Sequence, residues 1–205
     1  MSVYMTNYNY LFGGTMTIVG IILAAFFHIP HFYAFFSLGL FIVFLELYKS
    51  IVHRRFFARW SPWKFVVFWV LLLLASIAID ILGMRLGYWH YPFYMRFYDQ
   101  SIKYLFEWCV SLMYVTLGFF IGTAIFKKHH VHPFVAGLLS LVAVVIPLGF
   151  ITEYFNHMVS SWVILSMPIT SYSVDGYFLV FQTIGYWIIA LVPWLIYELV
   201  DFLKN

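Results

Sequence analysis

Six long apolar runs dominate this chain, at roughly residues 11–28, 32–48, 62–82, 102–126, 134–152 and 177–200. A helix that crosses a bilayer needs about 20 mostly apolar residues, because the hydrocarbon core holds no water to satisfy an unpaired backbone group. The runs predict an all-α polytopic membrane protein, a six-helix transmembrane bundle forming one domain over residues 1–205. Composition points the same way. The chain is 64% hydrophobic and 9% charged, against about 45–50% and about 25% for an average soluble domain. No internal repeat or low-complexity segment divides it. Residues Met1 to Tyr10 lack the basic stretch of a secretory leader, so the first run is expected to belong to the mature bundle.

The breaks between runs have local causes. His28-Ile29-Pro30-His31 separates the first two runs, where proline restricts its predecessor and cannot donate to a helical ladder. A helical hairpin is expected there. Lys and Arg set the direction. One topology puts Lys49, Arg54, Arg55, Arg59, Lys64, Lys127, Lys128 and Lys204 on one face and only Arg85, Arg96 and Lys103 on the other. By the positive-inside rule this eight-to-three bias predicts both termini in the cytoplasm, N-in and C-in. The outward loops, Gly83 to Ser101 and Glu153 to Gly176, are rich in Tyr and Trp and suit re-entrant or interface-lying segments. A seventh span through Ser160 to Ile169 is too short to cross.

The net charge of +3 is scattered through short loops, which excludes a nucleic-acid footprint. The single cysteine, Cys109, excludes an intrachain disulfide and a thiolate metal site. Acids inside spans are more informative, because they are costly in lipid and usually face a bundle interior. Asp80 ends the third run, Glu107 opens the fourth and Glu153 ends the fifth, all at similar depth. Helical spacing puts Ser76 with Asp80; Tyr104, Ser111 and Tyr114 with Glu107; and Asn156 and His157 with Glu153. Gln182 and Tyr186 make a further pair. Such stripes fit either the wall of a buried pocket or hydrogen-bonded glue between helices. An aromatic content of 23% exceeds what interfacial belts need, so some rings are expected to line an interior space. Glu46, Glu198 and Asp201 lie near the cytoplasmic ends, where they are expected to reach water or pair with nearby Lys and Arg; His129, His130 and His132 read as a solvated basic loop. Pro147 and Pro193 are expected to kink their helices.

The stretch Asp80-Ile-Leu-Gly-Met-Arg-Leu-Gly87-Tyr-Trp89-His-Tyr91-Pro92, with Glu107 in Tyr104-Leu-Phe-Glu107-Trp108, resembles the lycopene cyclase domain of membrane carotenoid cyclases. There an Asp closes one helix, a Gly-x-Trp-x-aromatic turn follows, and a carboxylate opens the next. Asp80, Gly87, Trp89, Tyr91 and Glu107 occupy those positions here, whereas Leu105-Phe106-Glu107-Trp108 replaces the family's Pro-x-Glu-Glu. The segment Thr152 to Asn156, with Trp162 after it, resembles small uncharacterised multi-pass membrane proteins of Bacillus-type bacteria, which implies a bacterial cell membrane and no function.

The resemblance implies a cofactor-independent membrane enzyme acting on an isoprenoid or similar apolar lipid through acid-initiated cyclisation or isomerisation. A carboxylic acid in an apolar pocket holds its proton to higher pH and can donate it, and aromatic faces stabilise a developing cation. The expected catalytic residues are Asp80, Glu107 and Glu153, with Glu107 as the first candidate donor. Trp89, Tyr91, Tyr104, Trp108, Tyr114, Tyr154, Asn156, His157 and Trp162 are expected to bind substrate. The alternative is a lipid or small-cation binder or transporter using the same acids. A metal site from Asp80, His90, Glu107, Glu153 and His157 ranks below both, because no pair of them forms a known metal motif.

Overall fold

The computed structural model describes residues 3–93, 97–165 and 185–203. Arg96, Gln182, Lys204, the start of the sixth run and the end of the Ser160–Ile169 segment lie outside the described residues. The chain is predominantly helical: α1 (Val3–Ala25), α2 (Phe32–Val52), α3 (Pro62–Arg85), α4 (Phe97–Ile102), the π-helical turn π1 (Lys103–Trp108), α5 (Cys109–Lys128), α6 (Pro133–Ser140), π2 (Leu141–Val145), α7 (Ile146–Val159) and α8 (Tyr186–Phe202). α4, π1 and α5 run on as one rod, and so do α6, π2 and α7. The described residues thus form six rods, of which five are long and apolar enough to cross a membrane.

The rods outrun the apolar runs where polar partners support them. α1 begins before residue 11 because Asn9 donates to Glu46 of α2 at 2.6 Å and the Tyr10 hydroxyl meets Ser50 at 3.3 Å. The expected hairpin forms at His28 to His31, where His28 takes a positive φ of 50° and α1 turns back along α2. α5 is the central rod. Cys109 through Gly118 is buried without a break, as a helix enclosed on all sides requires, and it packs against α2, α3, α6 and α8. The outer faces are apolar instead. Val66, Val70 and Leu74 of α3, Ile18 and Ile22 of α1, and Leu138 and Val142 of the α6 rod are all exposed. Contiguous apolar surface of this kind is what a monomeric soluble domain avoids.

Pro147 stands just after π2. A proline cannot donate to the carbonyl four residues back, and a local π-helical turn absorbs the misfit. Pro193 lies inside α8. The described parts of the two aromatic loops pair as a short antiparallel ladder, β1 (Trp89–His90) on β2 (Val163–Ile164), with Trp89 opposite Ile164 and His90 opposite Val163. Leu165 N–H donates to the Tyr88 carbonyl at 2.7 Å, extending the ladder.

Candidate functional site

Asp80, in the last turns of α3, is fully buried and accepts four hydrogen bonds. Trp89 Nε1 and Tyr91 OH donate to Oδ1 at 2.9 and 2.7 Å, and Lys103 Nζ and Tyr104 OH donate to Oδ2 at 2.9 and 2.8 Å. A carboxylate has about four acceptor positions, so this one is saturated. Lys103 is 1% exposed and lies 4.1 Å from the ring centroid of Tyr91. Lys103, counted on the outward face for the charge bias, thus spends its charge inside the bundle. Burial, together with the Asp80 carboxylate, holds the Tyr91 phenol well above its ordinary range. Tyr91 in turn accepts from Trp108 Nε1 at 2.8 Å.

Two glycines let the Trp89–Tyr91 segment fold back onto α3. Gly87 turns the chain at φ +71°, a conformation that side chains disfavour. A Cβ at Gly83 would overlap the Trp89 indole.

Glu107 lies in π1, and Asp99, Lys103 and Glu107 follow one another at four-residue steps, all buried. Wider π-helical winding keeps such a series on one side of the rod, and π turns recur at functional sites. His31, at the start of α2, joins two of them. Its Nδ1 lies 3.2 Å from Glu107 Oε1 and its Nε2 lies 3.0 Å from Asp99 Oδ1. The Glu107 hydrogen bond and charge, followed by those of Asp99, outweigh desolvation and raise the His31 pKa above 6.5. With its side chain 26% exposed, His31 connects the buried Glu107 to the rim of the bundle.

Glu153, on α7, is 3% exposed and among the described residues meets neutral donors only. Trp162 Nε1 lies 3.2 Å from both carboxylate oxygens, Tyr186 OH donates to Oε1 at 3.2 Å and Asn156 Nδ2 to Oε2 at 3.3 Å. Asn156 also clasps the loop by donating to the Trp162 carbonyl at 2.9 Å and accepting from its N–H at 3.2 Å. Behind this group a buried chain runs from Tyr33 OH to Tyr114 OH at 3.0 Å and on to Thr152 Oγ1 at 2.7 Å.

These pieces enclose one cavity of about 50 Å³. Trp89 and Tyr91 come from the first aromatic loop, Trp162 and Ile164 from the second, and Glu107, Trp108 and Ser111 from the central rod; Tyr33, Glu153 and Tyr186 complete it. Glu107 and Glu153 thus face a shared space. Asp80 does not line it, and its hydrogen bonds instead fix two of the rings that do. Tyr104 and Tyr114 are packed behind the wall, the first on Asp80 and the second on Tyr33 and Thr152. Tyr154 is 51% exposed and His157 is exposed as well, so neither reaches the cavity. The inward stripe of α7 runs through Gly149, Thr152, Glu153, Asn156 and Val159, which leaves both outside it.

His31, Asp99, Tyr33 and Lys103 were not among the expected site residues. The four-residue spacing of Asp99, Lys103 and Glu107 is a readable signal for the first two, with Asp99 just ahead of the apolar run that begins at 102. His31 had no such signal, since its partners are 68 and 76 residues away. Elsewhere, Glu46 pairs with Lys49 at 3.0 Å, the Asp201 carboxylate accepts from Trp60 while its carbonyl accepts from Lys64 Nζ at 3.3 Å, and Glu198 accepts from Trp194. His129, His130 and His132 are exposed between α5 and α6. The proposed five-residue metal set does not assemble, as His90 and His157 are exposed and no three His, Cys, Asp or Glu among the described residues could hold an ion. No family model, no curated protein and no solved structure matches this chain.

Proposed function

We propose that this chain is an integral membrane enzyme, with both termini in the cytoplasm, that acts on an isoprenoid or similar apolar lipid by acid-initiated isomerisation or cyclisation. The observation that carries the reading is the pair of buried carboxyls, Glu107 and Glu153, on the wall of one aromatic cavity. The chemistry is proton in, proton out. A carboxyl adds its proton to an alkene or epoxide, the cation rearranges or closes a ring, and a neighbouring carboxylate removes a proton from another carbon. No electrons are exchanged. Glu107 is the donor in this scheme together with His31: the two share the proton that is delivered, and His31 resupplies it from the rim. Glu153 takes the proton back or stabilises the cation, helped by ring faces with negative quadrupoles. Asp80 positions Trp89 and Tyr91 and touches no substrate. The apolar outer faces and the loop bias in Lys and Arg support placement in a bilayer, and the likeness of Asp80 to Trp108 to the lycopene cyclase domain supports the substrate class.

The test is product formation from isoprenoid substrates by purified protein in detergent or nanodiscs, with thermal unfolding followed in parallel. Glu107→Gln keeps shape and hydrogen bonding while removing the acid, so turnover should fall at least about 100-fold in a protein that still folds. Full activity in folded Glu107→Gln would remove it as the donor.

A further inference from the structure

We propose that the cavity binds the head of a lipophilic organic ammonium ion, with Glu153 as its counter-charge and the surrounding rings as its cage. The inference rests on reading this cavity as the substrate site. It starts from how unequally the buried acids are compensated. Asp80 has Lys103 at 2.9 Å, and Glu107 has His31 at 3.2 Å. Glu153 has Trp162, Tyr186 and Asn156, none of which carries positive charge. A carboxyl this deeply buried gains from a cation that enters with its ligand.

The wall decides which cation. Tyr33, Trp89, Trp108 and Trp162 line it with rings at varied tilts, Tyr33 and Trp162 centroids 5.1 Å apart at 55° and Trp89 and Trp108 centroids 6.2 Å apart at 33°, while the Tyr91 ring already has Lys103 Nζ 4.1 Å from its centroid. Rings arranged around a point select a weakly hydrated cation by their faces, as in cages for alkylated ammonium groups. A calcium or magnesium ion needs six or more close oxygen ligands, which an aromatic wall cannot supply. The volume of about 50 Å³ is room for roughly four waters, comparable with one trimethylammonium head. Such a head carries the positive charge and the methyl branching of the tertiary carbocation in the proposed reaction, so a site that stabilises one accommodates the other.

The test compares hexyltrimethylammonium with its uncharged carbon counterpart, 2,2-dimethyloctane, binding to the full chain in dodecyl maltoside micelles, which carry no charge. Calorimetry and tryptophan fluorescence read the affinities, with empty micelles subtracted. The expected result is a preference for the ammonium of at least about tenfold that disappears in Glu153→Gln. Should that variant fail to fold, Trp108→Leu keeps the carboxylate but removes one ring, and it should weaken the ammonium more than the hydrocarbon. Equal affinities for the two probes in folded wild type would overturn the proposal, as would a preference that survives in folded Glu153→Gln or is untouched by Trp108→Leu. Turnover of an isoprenoid without ammonium preference would sink this inference and leave the enzyme reading. Ammonium preference with no product from any isoprenoid would do the reverse.

Discussion

Replacing Lys103 with methionine removes a charge while keeping most of the volume, and the structure sets the size of the effect. Lys103 and Asp80 are 1% and 0% exposed and 2.9 Å apart, so neither can turn to water when its partner is lost. Breaking a buried pair by deleting one member costs about 3–5 kcal/mol, since the other charge stays buried and unpaired. Trp89, Tyr91 and Tyr104 still donate to Asp80 in the variant, which places the expected loss at the lower end, about 3 kcal/mol. For a chain of this size that corresponds to roughly 6–12 °C in Tm. Asp80→Asn alone should cost a similar amount by stranding the lysine. The double variant Asp80→Asn with Lys103→Met should recover much of the loss, because two neutral groups tolerate burial together. Thermal unfolding in micelles, followed by circular dichroism for the four proteins, gives the cycle. A Lys103→Met shift below about 2 °C, or strictly additive single effects, would refute the reasoning by showing that the pair contributes nothing.

His31 has its folded-state pKa raised above 6.5, first by Glu107 and then by Asp99. Its contribution to stability should be complete below about 6.5 and disappear as pH rises through the folded value, and His31→Gln should lack that component of the Tm-versus-pH curve; identical curves would remove the linkage. Gly83→Ala places a methyl group in the Trp89 indole and should destabilise by about 1–3 kcal/mol, shifting tryptophan emission as the β1–β2 ladder loosens; an unchanged spectrum and Tm would contradict the packing. Reporter fusions at Asn205 and within Tyr91 to Gln100 should report opposite compartments, and the same compartment for both would sink the six-span topology.

Much of the helical framework could be read in one dimension, because the features that encode it are local. Desolvating an apolar side chain contributes much the same whichever neighbours surround it, so six apolar runs mark six rods, and Pro30 and the basic loops mark their ends. The inward direction of Glu107 and Glu153 was legible for the same reason, since an acid in an apolar run has few affordable places to go. Partner choice was not legible. Lys103 counts as an outward-face cation at the start of the fourth run and becomes the mate of Asp80 only because π1 turns it toward α3. His31 looks like part of a turn until α2 sets it between Asp99 and Glu107. Tyr154 and His157 sit beside Glu153 in sequence, yet the narrow inward stripe of α7 leaves them outside while admitting Asn156. Hydropathy adds residue by residue, whereas an ion pair or a cavity wall depends on groups tens of residues apart meeting within about 3 Å. That is why the sequence determined the rods and their buried acids by itself, and only helix packing decided that Asp80 became an anchor and that Glu107 and Glu153 came to face one cavity.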